Sequence, residues 1–274
     1  MSEKKIYGII GHPVKHSLSP AMHNAAFKAE KINAEYQLFD IHPDEPDGFA
    51  NFCYETDLNN ISGLSITMPY KELALEYLDH IDPVAKMIGS VNTIMNEDSQ
   101  LIGYNTDSLG AIEAIKEKTT LKHKRVLVMG AGGAARAIGY GLKEFGAEVS
   151  IFNRTIEKAI ELANELKVNS IDYRDIPKED FDIIINTTPV GSFPNSNESL
   201  LHAAQLEGVE VVMDIITNPI ETQLIKEAKK TGAHIITGER MLLMQACRQF
   251  EIWFNKKAPK DVMEKALYEK LGSV

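Results

Sequence analysis

Residues 126–146 read VLVMGAGGAARAIGYGLKEFG. The four apolar residues Val126 to Met129 form a short buried strand. Gly130, Ala131, Gly132 and Gly133 make a turn, and a helical run follows that ends near Gly146. Outward from this stretch the same alternation repeats: RVLVMG, EVSIFN, VNSIDY, DIIINTT, EVVMDII and HIITG are apolar strands separated by helical segments. Repeated strand-helix-strand units imply right-handed crossovers and a parallel sheet, so the chain from about residue 107 to 239 is read as a doubly wound domain.

The glycine spacing Gly130-x-Gly132-x-x-Ala135 is weak evidence alone, but here it follows a strand and opens a helix inside a full crossover unit. Glycines allow a tight turn and close backbone approach, and the helix N-terminus offers N–H groups and a positive dipole end to a pyrophosphate. This makes the domain Rossmann-type and a candidate dinucleotide site. The second strand of such a unit ends about 20 residues on, where an acidic residue takes the ribose 2′-hydroxyl of NAD. That place, 23 residues after Gly130, holds Asn153, then Arg154 and Thr155, with Lys158 one helical turn further. A planar, permanently charged fork with a hydroxyl beside it suits the 2′-phosphate of NADP. The bland alternative is a solvated Arg154 and a Thr155 that only caps a helix.

Ahead of this domain, strands at 6–10, 35–41, 63–68, 91–96 and 100–104 alternate with helices at about 20–31, 44–54 and 69–79, the last two strands forming a hairpin around NEDSQ. This is a smaller α/β lobe over residues 1–106. The helical run 240–274 is expected to pack back on it. The fold class is therefore α/β in two lobes, a size that 274 residues with 44% hydrophobic content sustain. A formal charge of -10 argues against non-specific nucleic-acid binding and against an anionic membrane surface. Two cysteines without metal spacing read as small buried hydrophobes, and no metal site is expected. The apolar run near the N-terminus is too short for a signal peptide and no stretch reaches a membrane span, so a cytoplasmic protein is expected.

In the first lobe, Ser17 and Ser19 are two apart and share a side if that segment is extended; they suit a carboxylate or hydroxyl of a small substrate, or Ser19 caps the helix. His12, His16 and His23 nearby have no metal-like spacing and read as structural or solvent-facing. In LSITMPYKELALEYL, Pro69 opens the helix at 69–79 and Lys71 falls in its first turn, where a cation opposes the dipole. Such a lysine has a reason to be there, easier proton exchange, unless it merely reaches solvent. Asp107, at a helix start between the lobes, is favoured as an N-terminal anion and also stands where pockets concentrate. Lys71 and Asp107 together suit an acid/base pair.

The segments SLSP, ITMPYK, GSVNT, GYNTD, GAGGAARA, NRT, NTTPVG and GERMLLMQ, in this order over essentially the whole chain, resemble the shikimate dehydrogenase family. The resemblance implies NADPH-dependent, reversible reduction of 3-dehydroshikimate to shikimate in chorismate biosynthesis, by a monomer or homodimer. It implies that Ser17, Ser19, Thr67, Asn92 and Gln245 hold the cyclohexene acid, with Lys71 and Asp107 at the reacting hydroxyl. Gly130, Ala131, Gly132, Gly133, Ala134, Asn153, Arg154, Thr155 and Lys158 would line the NADP site, with Ile215, Gly238 and Met241 near the nicotinamide. The chain departs from the family pattern at Ser65, where Asn is usual, at Thr217, where a substrate-contacting Tyr is usual, and at Glu239-Arg240, which replace Leu-Gly. The alternatives are a quinate-accepting relative, a non-catalytic NADP-sensing protein, or another two-lobed reductase of the methylenetetrahydrofolate dehydrogenase kind.

Overall fold

A computed structural model describes residues 3–45, 47–54 and 61–272. The chain forms two compact units, Met1–Thr106 with Gln245–Val274, and Asp107–Met244. The return to the first unit therefore comes at Gln245, against 240 in the sequence reading.

The first unit runs β1 (Lys5–Gly11), α1 (Ser19–Ala29), β2 (Ala34–Asp40), α2 (Gly48–Tyr54), β3 (Ile61–Ile66), β4 (His80–Ile81), α3 (Pro83–Ile88), β5 (Thr93–Glu97) and β6 (Gln100–Tyr104). Residue 46, inside the helix expected at 44–54, lies outside the described residues, as do residues 273 and 274 of the C-terminal run. The sheet order is β2-β1-β3-β5-β6-β4, with β1 parallel to both neighbours and β5 antiparallel to β3 and β6. The hairpin at NEDSQ closes through Asp98 and Ser99, both left-handed at φ 51° and 64°. Paired positive φ values match the twist of the flanking strands.

The helix expected at 69–79 does not form. In an α-helix the carbonyl of Lys71 would accept from Leu75. Instead it accepts from the Val91 N–H at 2.9 Å, while the Leu75 N–H donates to Glu72 O at 3.1 Å. A long-range partner has taken the helical acceptor, and only the 3-10 segment Leu73–Tyr77 remains. Lys71 sits on the turn before it, so the dipole argument for that lysine does not apply.

The second unit runs α4 (Asp107–Lys116), β7 (Arg125–Met129), α5 (Gly133–Glu144), β8 (Glu148–Phe152), α6 (Ile156–Leu166), β9 (Asn169–Ser170), β10 (Ile183–Asn186), β11 (Val211–Asp214), α7 (Gln223–Thr231) and β12 (His234–Ile236). All six strands are parallel, in the order β12-β11-β10-β7-β8-β9. Successive strand residues face opposite sides: Val126, Val128, Ile183 and Ile185 join Ile138 and Leu142 in one core, Leu127, Met129 and Ile184 join Leu224 and Ile225 in the other. Covering both faces is what makes these strands apolar throughout. The strand expected at VNSIDY shrinks to β9, an exposed two-residue edge.

The chain ends in α8 (Gly238–Phe254) and α9 (Lys260–Leu271). Within the first unit, Trp253 Nε1 donates to Ile94 O at 3.0 Å, and a Cβ on Gly63 would lie 2.5 Å from the indole. Only glycine at that strand position lets α8 lie so close to the sheet. Among the described residues no helix is long and apolar enough to cross a membrane, and no His/Cys/Asp/Glu group could hold a metal ion.

Candidate active site

In the second unit the strand order reverses between β7 and β10, the switch point where doubly wound sheets bind ligands. Gly130 directly follows β7 with φ 122°, a conformation open to glycine, and a Cβ there would collide with Thr187 Oγ1. A Cβ on Gly132 would meet nothing within 4 Å. Gly132 is also the N-cap of α5 and supplies no side-chain capping bond. The turn thus offers open space in front of uncapped first-turn N–H groups, which fits a dinucleotide pyrophosphate. Ala131, Gly133 and Ala134 complete this turn and are all at least partly accessible.

The Gly130 N–H donates to Phe152 O at 2.7 Å, tying the end of β7 to that of β8. Directly after β8, Asn153 Nδ2 donates to Thr155 O at 3.0 Å, and Arg154, Thr155 and Lys158 are exposed. Thr155 holds the N-cap position of α6 without a side-chain capping bond, which removes the bland reading of its hydroxyl. Arg125, Arg136, Arg174, Arg240 and Arg248 each pair with a carboxylate. Arg154 pairs with none among the described residues. A cation left to solvent beside a pyrophosphate-ready turn fits a 2′-phosphate.

The ends of β10 and β11 are braced by Asp214, which is fully buried. Its carboxylate accepts from Asn186 Nδ2 at 3.1 Å, the Ile216 N–H at 3.1 Å and Thr222 Oγ1 at 2.7 Å. Burial raises its pKa above the ordinary aspartate value, with those three bonds opposing. The brace fixes the segment carrying Ile215 and the exposed Thr217. Gly238 abuts the same segment: a Cβ there would lie 2.5 Å from Ile215 O. Met241 is buried one turn further along α8. Of the residues that depart from the family pattern, Arg240 makes a two-pronged pair with Glu117 at 2.5 and 2.6 Å, and Glu239 accepts from Thr237 Oγ1 at 2.5 Å.

In the first unit, Ser19 is buried and is the first residue of α1, so it does not cap it; Ser17 Oγ accepts from the Ser19 N–H at 3.3 Å. The Ser17 N–H in turn donates to Val14 O, so the pair lies on a turn and not an extended strand. Thr67 follows β3 and its N–H donates to Ile10 O at 2.9 Å. Asn92 is 2% exposed: its Oδ1 accepts from the Thr106 N–H at 2.8 Å, and its Nδ2 donates to Thr106 Oγ1 at 2.9 Å. Thr106 Oγ1 donates onward to Gln245 Oε1 at 3.5 Å. Asn92 and Gln245, far apart in sequence, are thus joined through one hydroxyl. Thr106 belongs to this set although nothing local in GYNTD marks it. Thr187 and Thr188, against the Gly130 turn, lay inside the quoted NTTPVG without being assigned. Lys71 is half-buried in the first unit, and Asp107, 7% exposed, is the first residue of the second. His23 is fully buried, which drives its pKa down to about 3, and its neutral ring stacks on Tyr36 at 4.6 Å.

A doubly wound unit with a phosphate-suited cation at its second strand, joined to an α/β unit that gathers amides and hydroxyls, has the design of a dinucleotide-dependent oxidoreductase. Family models match almost end to end: the shikimate dehydrogenase substrate binding domain over residues 9–94, shikimate / quinate 5-dehydrogenase over 113–235, and the shikimate 5'-dehydrogenase C-terminal domain over 238–268. A curated relative from Methanobrevibacter smithii, named shikimate dehydrogenase (NADP(+)), is 44% identical over 97% of each chain. A crystal structure of shikimate dehydrogenase in complex with NADP+ is 41% identical, with TM-score 0.89 over 97% of this chain and 96% of the other. That of the Thermus thermophilus enzyme with NADP(H) and shikimate is 33% identical, with TM-score 0.89 over 97% and 99%. The chain belongs to the shikimate dehydrogenase family.

Proposed function

We propose that this protein is an NADP-dependent shikimate dehydrogenase that interconverts 3-dehydroshikimate and shikimate, the step its family contributes to chorismate biosynthesis. The reading is carried by a relative named for this activity that is 44% identical over 97% of both chains. Gly130, Ala131, Gly132, Gly133 and Ala134 would hold the cofactor pyrophosphate, Asn153, Arg154, Thr155 and Lys158 its 2′-phosphate, and Ile215, Gly238 and Met241 its nicotinamide end. When bound, NADP supplies or accepts the hydride.

The chain's own residues do the rest. Ser17 and Ser19 hold the substrate carboxylate, Thr67, Asn92 and Gln245 the ring hydroxyls, and Thr217 takes the place of the family's tyrosine. In the reducing direction the Lys71 ammonium gives its proton to the carbonyl oxygen that becomes the hydroxyl, and the Asp107 carboxylate accepts a hydrogen bond from that hydroxyl. In the oxidising direction the neutral Lys71 amine takes the proton back, so charge and atoms balance at one oxygen. The test is a comparison of initial rates on shikimate and quinate with NADP+ and with NAD+, read by absorbance of the reduced cofactor. Shikimate with NADP+ is expected to be the fastest pair. No turnover of shikimate, or faster turnover of quinate with NAD+, overturns the proposal.

A further inference from the structure

Gln249, on α8, is 1% exposed, and both N–H donors of its amide are used. Nε2 donates to Asn92 O and to Thr93 Oγ1, both at 3.1 Å, and Oε1 accepts from Ser65 Oγ at 2.8 Å. A backbone carbonyl only accepts, so the end facing Asn92 O is the nitrogen and the end facing Ser65 is the oxygen. Ser65 therefore donates to Gln249, and its own oxygen accepts from Tyr36 Oη at 2.6 Å. Thr93 Oγ1, occupied as an acceptor by Gln249, spends its proton on Asn92 Oδ1 at 2.8 Å.

The same logic holds at Asn92. The Thr106 N–H only donates, so the end of the Asn92 amide that it meets is the oxygen. Thr93 supplies a second donor to that oxygen, and Gln249 is what keeps Thr93 turned that way. We infer that Gln249 is a positioning residue: through Thr93 it adds a second lock to the Asn92 orientation that the Thr106 N–H sets, and so holds the donor end that would receive a ring hydroxyl. This rests on the proposed role of Asn92 in holding substrate. It also gives a function to Ser65. At a position where the family pattern has an amide, a small hydroxyl leaves room for an amide that arrives from α8, and the network is completed from the helix.

Two substitutions act differently on this arrangement. Gln249→Glu keeps the shape but, as the neutral acid that so buried a site favours, offers one O–H donor where the amide offers two, so it cannot serve both Asn92 O and Thr93 Oγ1. Gln249→Met keeps the length and removes all three bonds. Both are expected to raise KM for shikimate about tenfold, the effect of losing one net hydrogen bond. In each, kcat should change less than about threefold and KM for NADP+ should stay unchanged, because NADP+ is proposed to bind the other unit. Ser65→Ala, which cuts only the far end of the chain, is expected to raise the shikimate KM by less than either. A merely structural role would lower the thermal midpoint and leave the shikimate KM alone. If Gln249→Glu fails to fold, Gln249→Met carries the test. A native enzyme active on shikimate whose folded Gln249 variants keep its KM overturns the inference alone. A native enzyme inactive on shikimate overturns the functional proposal and the inference with it.

Discussion

Replacing Lys71 by alanine is expected to lower kcat by about 10² to 10⁴-fold, the usual contribution of a positioned general acid. That range corresponds to about 2.7–5.4 kcal/mol of transition-state stabilisation. KM for shikimate should rise far less, because in the oxidising direction the Lys71 amine takes the proton as charge develops on the oxygen, an interaction stronger in the transition state than with the bound hydroxyl. The fold should tolerate the change. What holds this turn is the Lys71 carbonyl, which accepts from Val91, and the main chain survives truncation of a half-buried side chain. Steady-state rates on shikimate, with circular dichroism as a control for folding, decide the matter. A variant with near-normal kcat would remove Lys71 from the chemistry.

Arg154→Asp is expected to shift the cofactor preference, measured as kcat/KM for NADP+ over that for NAD+, by about 10²-fold or more toward NAD+. Losing a charge-assisted hydrogen bond costs about 1.5–3 kcal/mol, and the introduced carboxylate repels a 2′-phosphate while accepting from a 2′-hydroxyl. Arg154 is exposed and has no carboxylate partner among the described residues, so its removal leaves no buried charge behind. Lys158 remains one turn along α6 and sets the upper limit of the change by retaining part of the attraction. An unchanged preference would show that the phosphate is held elsewhere.

The parts legible in the sequence were those whose determinants are local. The glycine turn is readable because Gly130 must adopt a positive φ and Gly132 must leave space, and both requirements belong to those residues and their neighbours. The parallel sheet is readable because each strand, covered on both faces, is apolar along its whole length. Lys71 shows the opposite case. YKELALEYL carries a helical pattern, but Val91 claims the carbonyl that the helix needs, and nothing near residue 71 announces it. Thr106 and Gln249 escaped for the same reason. Each looks like an ordinary helix-start or helix residue until Asn92 is brought beside it from 14 and 157 residues away.

The central claim is the proposal that Lys71 and Asp107 serve one substrate hydroxyl. A crystal structure with shikimate and NADP+ bound tests it directly. Lys71 Nζ and an Asp107 carboxylate oxygen should each lie within about 3.2 Å of the same ring hydroxyl. A complex in which the hydroxyl next to the nicotinamide contacts neither residue would contradict the account.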